Sequence, residues 1–327
     1  MNNSVVKSVL VTSTGSVAAD IVIKSLKRMK YRVVGCNLYP REWVVESCEV
    51  DCFYQIPPVS ESSDYLEAIK RICVQEKITM ILPMIDYEVD LFSKNRNWFV
   101  EKNIILCISP DYALDIIRNK KLLQDFVRDN CQSVSFIPTE RIVDIDELKW
   151  SFPIVCKPYN GRSSQGLKII YNNEEWKRFL TEFDVLNYIV EPFIDGQIVV
   201  VEIIRQDVPH KVIAITRKEL IRTPHGCGIT VCVYQDELLE KASKELADKL
   251  GVIGEVNFEY ILGKDGKYYF IECNPRFSAG CEFACMEGYD CVENHLKCFL
   301  EIEIEDYYFK HDMIISRKYE EYITMIK

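Results

Sequence analysis

Two glutamates in the C-terminal part of the chain have the spacing of a metal site built on a β-hairpin. The segment GEVNFEYILGKDGKYYFIECNPRF, residues 254–277, contains two strand-like stretches joined by a turn. The turn, Asp265-Gly266, is a favoured two-residue connection between antiparallel strands. Counting outward from it places Glu259 directly opposite Glu272. Like charges so placed destabilise a sheet by roughly 0.2–1 kcal/mol, so we expect a cation nearby.

The cation predicted at this face is Mg²⁺. Because side chains alternate along a strand, Asn257 and Asn274 project from the same face as the two glutamates. Glu259, Glu272 and Asn274 offer hard oxygen ligands, which suit Mg²⁺ and leave coordination positions for water and nucleotide phosphates. Arg276 projects the same way if the strand continues. The alternative is an acidic sheet face balanced by nearby lysines, and the hairpin alone leaves both open.

The elements around this hairpin are typical of an antiparallel α+β domain. From about residue 151, strands are linked by short turns. Strands are predicted at residues 153–157, 167–171, 188–191, 197–205 and 211–217, and helices at 173–183, 236–250 and 289–300. The apolar face of the hairpin should pack in the core of this part, through Phe258, Tyr260, Phe270 and Ile271.

Residues 1–110 are predicted to form a separate, doubly wound α/β domain. The segment VVKSVLVT, residues 5–12, is short and β-branched, as strands are. A turn at Thr14-Gly15-Ser16, a helical pattern and a second strand at residues 31–36 complete a strand-helix-strand unit. Such units form parallel sheets with right-handed crossovers. Further elements are predicted at residues 79–82, 86–93 and 104–108.

The turn at Thr14-Gly15-Ser16 raises a second hypothesis, an NAD(P)-linked oxidoreductase. The G-x-G-x-x-G fingerprint of dinucleotide-binding domains is absent there. One glycine stands where three have separate roles, so we do not favour this hypothesis.

The composition excludes other classes of protein. A formal net charge of −10 at pH 7 argues against nucleic-acid binding, which needs a basic surface. No apolar run approaches the roughly 20 residues that span a bilayer, so no membrane partner is expected. The 14 cysteines are scattered, without a C-x-x-C pair, and are predicted to be reduced and structural. This indicates a cytoplasmic protein.

The hairpin also carries a family resemblance. Glu272-Cys273-Asn274-Pro275-Arg276 resembles the E-x-N-P-R signature of ATP-grasp enzymes, and Asn257-Phe258-Glu259 resembles the N-x-Q/E piece upstream of it. The nearest group is the carbamoyl-phosphate-synthase-like ATP-grasp proteins, many of which are stand-alone ligases. The resemblance covers nearly the whole chain. It implies a pre-ATP-grasp domain at 1–110 and an ATP-grasp domain at 111–327, with a lid subdomain at about 125–190.

Other segments match the family in the expected order, and they imply a nucleotide site. Asn119-Lys120 resembles the D-K pair that opens the ATP-grasp domain, and Lys157 ends a strand whose lysine reaches the phosphates. Residues 160–166 resemble the lid loop, and residues 189–194 the hinge beside the adenine. The implied ATP-binding residues are Lys120, Lys157, Ser163, Ser164, Gly166, Glu191, Phe193 and Gln197. Glu191 would bind the adenine amine through its carboxylate, and Phe193 would contact the base through its backbone.

Three departures from the family qualify this resemblance. The family usually has an acidic residue for the ribose after the hinge glycine, where this chain has Gln197 and Ile198. Asn119 replaces the usual aspartate before Lys120. The second arginine of true carbamoyl phosphate synthases is missing after Arg276, which weighs against carbamoyl phosphate as the product.

The function implied is an ATP-dependent ligase that joins a small-molecule carboxylate to an amine through an acyl phosphate. Two Mg²⁺ ions, for which Mn²⁺ can substitute, would be held by Glu259, Glu272 and Asn274. Arg276 and Lys157 would be the catalytic residues. The basic segment after residue 216 commonly faces the substrates in this family, and here it offers Arg217, Arg222 and His225. Ordinary solvated charges are an equal alternative for these three residues.

Two further functions stay open at this point. One is carbamoyl-phosphate-synthase-like carboxyphosphate chemistry, and the other is a non-catalytic ATP-binding module. Related proteins are often homodimers, so the resemblance includes a homodimer among the expected states.

Overall fold

Five parallel strands form the first sheet of the molecule. The structure is a computed structural model that describes residues 7–162 and 164–326. The strands are β1 (Ser8–Val11), β2 (Arg32–Asn37), β3 (Cys52–Gln55), β4 (Met80–Leu82) and β5 (Ile105–Leu106). They pair in the order β3-β2-β1-β4-β5, and each pairing is parallel. This confirms the predicted doubly wound class, although residues 5 and 6 of the first predicted strand lie outside the described residues.

Helices cover both faces of this sheet. Apolar side chains of α1 (Ala19–Arg28) pack on one face. The other face is covered by α2 (Ser62–Gln75), α3 (Asp86–Lys94) and α4 (Arg96–Glu101). The order of the strands reverses between β1 and β4, and α3 begins directly after β4 at this position.

The second sheet has four antiparallel strands, which lie between residues 140 and 192. It follows two helices, α5 (Asp111–Ile117) and α6 (Lys120–Asn130). The Asn119 side chain accepts hydrogen bonds from the backbone N–H groups of Lys121 and Leu122, so it caps α6 and fixes Lys120 as its first residue. The strands are β6 (Glu140–Arg141), β7 (Ile154–Pro158), β8 (Lys168–Ile170) and β9 (Tyr188–Pro192), in the order β6-β9-β7-β8, with α7 (Asn173–Glu182) packed against them.

The third sheet has six antiparallel strands and contains the acidic hairpin. Its strands are β10 (Gly196–Gln206), β11 (Lys211–Arg222), β12 (Gly228–Val233), β13 (Gly254–Gly263), β14 (Tyr268–Asn274) and β15 (Met313–Ser316). They pair in the order β14-β13-β10-β11-β12-β15. One face packs against α8 (Glu237–Leu250) in an apolar core that includes Phe258, Tyr260 and Phe270, as predicted. The edge strand β15 was not predicted, because four residues have too little pattern to identify a strand.

Two helices that follow the hairpin join the third sheet to the first. These are α9 (Cys281–Glu287) and α10 (Cys291–Leu300). Cys281, Val292 and Leu296 lie in one apolar cluster with residues of β1 and α1. The face of the first sheet that packs against α1 is therefore completed by helices about 250 residues away in sequence. Among the described residues, no helix is long and apolar enough to cross a membrane, and each of the fourteen cysteines is a free thiol.

The β13–β14 hairpin has the predicted pairing of glutamates but not the predicted turn. Glu259 lies opposite Glu272. The backbone N–H of Gly263 donates to the carbonyl of Lys267, so the loop has three residues and not two. A two-residue turn of this type needs positive φ at both Asp265 and Gly266, but only Gly266, at φ +78°, has it.

A β-bulge restores the register between this loop and the glutamates. The pairing shifts between Glu259 and Tyr260, so β14 carries one extra residue, Ile271, opposite them. Ile271 was predicted in the core, but it lies beside Glu272 on the opposite face, in the wall of the cavity described below. Without the bulge, Glu272 would point away from Glu259, because a one-residue slip moves side chains to the other face.

His295 on α10 is buried where these helices meet the hairpin. It is 3% exposed, and its ring lies 4.6 Å from that of Phe277 and 5.0 Å from that of Phe299. Its Nδ1 accepts a hydrogen bond from the backbone N–H of Glu255. Burial lowers the pKa of His295 to about 3. The imidazole is therefore neutral in the folded protein at neutral pH.

We predict that His295 makes stability fall as the pH falls below 6.5. The unfolded chain takes up this proton below about pH 6.5 and the folded chain only near pH 3, so acid favours unfolding. Between pH 7 and pH 5 the contribution lost is about 2 kcal/mol. Buried carboxyls with raised pKa values, such as Glu255, act in the opposite direction. The quantity to measure is thus the difference in unfolding free energy between wild type and His295→Gln, and a difference that does not change with pH would contradict the prediction.

Candidate functional site

A cavity of about 530 Å³ lies between the second and third sheets. Side chains of β7, β8 and β9 form one wall, and side chains of β10, β11, β13 and β14 form the other. The structure brings most of the predicted site residues to this cavity. Its walls include Lys120, Lys157, Ser164, Glu191, Phe193, Arg217, Arg222, His225, Glu259, Glu272, Asn274 and Arg276.

Three predicted ATP-binding residues are not placed in the cavity wall. Gln197 neighbours Ile198, which faces the cavity, and side chains alternate along the strand. The Gln197 amide instead donates to the carbonyl of Glu219, so its predicted ribose contact is not favoured. Gly166 packs against Tyr188 and Pro158 at φ +75° and lies behind the wall. Ser163 lies outside the described residues.

Apolar side chains line part of the cavity. This part suits a planar base, because apolar side chains of the two facing sheets lie on either side of it. These side chains are Ile137, Val155, Leu167, Ile169, Phe193, Ile198, Ile261 and Ile271.

A buried ion pair lies in the cavity wall. Lys157 Nζ lies 2.7 Å from Glu191 Oε2, and the two residues are 7% and 3% exposed. The hydroxyl of Thr139 donates to the other Glu191 oxygen. The Glu191 carboxylate was predicted to bind the adenine amine, but both of its oxygens have internal partners. The backbone N–H of Phe193, another predicted ATP contact, already donates to the carbonyl of Pro153.

The two opposed glutamates each have a cation beside them. Lys120 Nζ lies 3.0 Å from Glu272, and Arg222 Nη2 lies 3.0 Å from Glu259. Burial and the charge of Glu272 raise the pKa of Glu259, although Arg222 opposes this. Burial opposes ionisation of Glu272 too, but Lys120 holds the pKa of that carboxyl below its ordinary value. The negative charges of the two glutamates are thus balanced by protein cations, which is the alternative to a metal ion.

The donor set still fits Mg²⁺. The Asn274 amide nitrogen lies 3.5 Å from an oxygen of Glu259 and 3.5 Å from one of Glu272. A half-turn of this amide would present its oxygen between two carboxylates, which are the ligands that Mg²⁺ prefers. Among the described residues, no three His, Cys, Asp or Glu side chains gather as a metal cage. A Mg²⁺ ion here would complete its shell with water and nucleotide phosphates, as is usual for this ion.

Arg276 is held by a residue of the first sheet's domain. Its Nη2 lies 3.1 Å from Asp86, which begins α3 and also pairs with Arg118 at 3.1 Å. Burial works against ionisation of Asp86, but Arg276 and Arg118 hold its pKa below the ordinary value. Asp86 therefore remains charged and fixes the direction of Arg276 toward the cavity.

The lid loop is attached to the same helix. Arg162 forms an ion pair with Asp90, and its guanidinium lies 4.2 Å from the ring centre of Tyr87. Lys120 also donates to the carbonyl of Gly161 at 3.0 Å. One turn of α3 thus contacts both Arg276 and the predicted lid loop.

The predicted substrate residues line the same cavity, and the two arginines among them form ion pairs with protein carboxylates. Arg217 is bound by Glu202 and Glu219, and Arg222 by Glu259. A substrate anion, as predicted beside Arg217, would compete with two carboxylates there. His225 lines the cavity from an exposed loop.

Two residues that form ion pairs with predicted site residues were missed by the sequence analysis. Glu219 lies two residues after Arg217 on β11, and both line the cavity. Because residues two apart in a strand project from the same face, the sequence could have placed them together. Asp86 is separated from Arg276 by 190 residues, and no local pattern connects the two.

Two family models match the chain. The ATP-grasp domain matches residues 145–280, and the PylC-like N-terminal domain matches residues 9–107. Residues 145–280 therefore form an ATP-grasp domain. A curated relative, the carbamoyl phosphate synthase large chain of Archaeoglobus fulgidus, is 26% identical over 147 residues. That stretch covers 41% of this chain but only 14% of the relative, so the match spans a small part of that protein.

Solved structures share the fold of most of the chain. The biotin carboxylase domain of Hydrogenobacter thermophilus 2-oxoglutarate carboxylase, a dimer in complex with MgADP and bicarbonate, has a TM-score of 0.77 at 19% identity. The match covers 94% of this chain and 73% of that one. The L-amino acid ligase of Bacillus licheniformis has a TM-score of 0.70 at 16% identity, over 90% and 74% of the two chains.

We predict that Lys157 has both a structural and a nucleotide-binding role, which two variants separate. Lys157→Met leaves Glu191 buried and unpaired, and should lower the unfolding free energy by about 3–5 kcal/mol. Lys157→Met with Glu191→Leu should recover most of this loss, because an apolar pair can replace a buried ion pair. Neither variant should bind a fluorescent ATP analogue. Stability is measured by denaturant unfolding. If the double variant binds the nucleotide again, the role of Lys157 is only to form the ion pair with Glu191, and the prediction is wrong.

Proposed function

We propose that this chain is an ATP-dependent carboxylate–amine ligase that forms an amide or peptide bond and releases ADP and phosphate. One observation carries the proposal. A single cavity combines an apolar slot, the two lysines Lys120 and Lys157, two opposed carboxylates and Arg276. These are the groups that bind a nucleotide, neutralise its phosphates and stabilise charge during phosphoryl transfer.

The chain's own residues would act mainly by position and charge. ATP would lie with its base in the apolar slot and its phosphates near Lys120 and Lys157. Mg²⁺ held by Glu259, Glu272 and Asn274 would supply positive charge to the phosphates. A substrate carboxylate oxygen would bond to the γ-phosphorus while the bond to ADP breaks, and Arg276 would stabilise the charge on the transferred group.

The second half of the reaction needs water to be excluded. The amine would bond to the acyl carbon as the bond to phosphate breaks, and water in the site would hydrolyse the intermediate instead. The lid loop is well placed for exclusion, since Arg162 already joins it to α3 across the phosphate end.

Carboxyphosphate formation from bicarbonate is the second candidate. It is supported by the carbamoyl phosphate synthase relative and by the neighbour in complex with bicarbonate. The absence of a second arginine directly after Arg276 weighs against it. A homodimer is proposed because the same neighbour is a dimer, and a cytoplasmic location because all fourteen cysteines are free thiols.

We predict that ADP and phosphate form only when ATP, Mg²⁺ and a suitable carboxylate are all present. Pools of amino acids and other carboxylates, and bicarbonate in a separate arm, would be tested with hydroxylamine, which traps acyl phosphates as hydroxamates. Glu272→Gln should lower this turnover by at least about 100-fold, because it removes an ionised metal ligand. The matched control is Glu320→Gln, on an exposed residue.

The arms of this experiment separate the candidates. Hydroxamate from a carboxylate pool supports the ligase, and ADP formation driven by bicarbonate alone supports carboxyphosphate chemistry. ATP binding without turnover in any arm would leave a nucleotide-binding module and would refute the proposed ligase.

A further inference from the structure

The end of the cavity beyond the metal ligands has an unbalanced charge. Arg217, which is 5% exposed, lies between two buried carboxylates. Its Nη1 lies 2.5 Å from Glu202 and its Nε lies 2.9 Å from Glu219. One guanidinium therefore serves two carboxylates, and one negative charge in this buried cluster has no cation.

Of these two carboxylates, only Glu219 lines the cavity. Glu202 is 0% exposed, and the oxygen that binds Arg217 also accepts a hydrogen bond from Ser278, while its other oxygen has no partner among the described residues. Glu219 lines the cavity, and its Oε2 has no hydrogen-bond partner among the described residues. A buried carboxylate oxygen without a partner costs about 1–3 kcal/mol or more, which makes a ligand donor the natural complement.

The other cations of this region do not reach that oxygen. Arg222 donates its Nη2 to Glu259 and its Nε to the carbonyl of Gly226. Lys218 is on the opposite face of β11, 4.3 Å from the ring centre of Tyr234. The wall comes so close to Glu219 that a Cβ at Gly228 would lie 2.2 Å from Oε2. A side chain at 228 would therefore clash with this carboxylate.

A buried hydrogen-bond donor lies in the same wall. The Asn257 amide nitrogen has no partner among the described residues, and Asn257 is 2% exposed and lines the cavity. The cavity end thus offers an acceptor with a negative charge at Glu219 and a neutral donor at Asn257. An amine that attacks an acyl group needs an acceptor for its N–H, and the acyl oxygen needs a donor.

We propose that Glu219 is the binding site of the amine substrate, which enters as a primary ammonium ion. This inference rests on the proposed ligase function and names the substrate class of the same cavity. The nitrogen gives one proton to Glu219 Oε2 and becomes a nucleophile. The C–N bond then forms as the bond from carbon to phosphate breaks, the second proton leaves with the phosphate, and Glu219 returns its proton to water.

The test compares a charged and an uncharged nucleophile in Glu219→Gln. The variant keeps the size of the side chain and an oxygen for Arg217, but loses the charge. Hydroxylamine, which is uncharged at neutral pH, should give hydroxamate at nearly the wild-type rate. The value of kcat/KM for primary amines, taken from a pool of amino acids and polyamines, should fall by about 10- to 100-fold. Glu219→Asp keeps the charge and should restore part of it.

The outcomes separate this inference from the proposed function. Unchanged kcat/KM for amines in Glu219→Gln would overturn the inference and leave the ligase intact. Loss of hydroxamate formation together with Mg²⁺ affinity would assign Glu219 to the phosphate end and overturn it as well. Wild-type hydroxamate formation without amide from any amine would refute an amine site here. If the wild type forms no hydroxamate from any carboxylate, the proposed function itself fails.

Discussion

The site depends on two like charges held opposite each other on neighbouring strands. Glu259 and Glu272 are brought together by the β13–β14 register, and their repulsion has to be balanced from outside the hairpin. Lys120, at the start of α6, and Arg222, at the end of β11, provide that balance. Elements distant in sequence therefore meet at one point because the hairpin places negative charge there.

The sequence predicted this centre well but for a partly wrong reason. The opposed glutamates followed from a two-residue turn, whereas the chain has a three-residue loop and a bulge at Ile271. The extra loop residue shifts the register one way, and the bulge shifts it back. A bulge leaves little trace in a single sequence, since Ile271 has the apolar character of a core residue. The glutamates and amides were recoverable because residue type and spacing both pointed to them.

Contacts between distant segments were beyond sequence reasoning. Nothing local indicates that α9 and α10 complete the first sheet, or that Asp86 of α3 holds Arg276. The same limit applies to residues whose predicted role was a ligand contact but whose charge has an internal partner. Glu191 and Arg217 were correctly placed in the cavity, but their partners Lys157, Glu202 and Glu219 could be seen only in three dimensions.

The ion pairs at the centre also imply that nucleotide and metal bind together. Lys120 is bound to Glu272, yet the proposed function requires Lys120 at a phosphate and Glu272 at Mg²⁺. Each exchange alone would leave one charge of this half-buried ion pair without its partner. Phosphates that draw Lys120 away free Glu272 for the metal, and the metal in turn compensates the carboxylate left behind. Such mutual dependence is a coupling free energy between two ligands, and it acts equally in both directions. The resting ion pairs thus discourage either ligand from binding without the other.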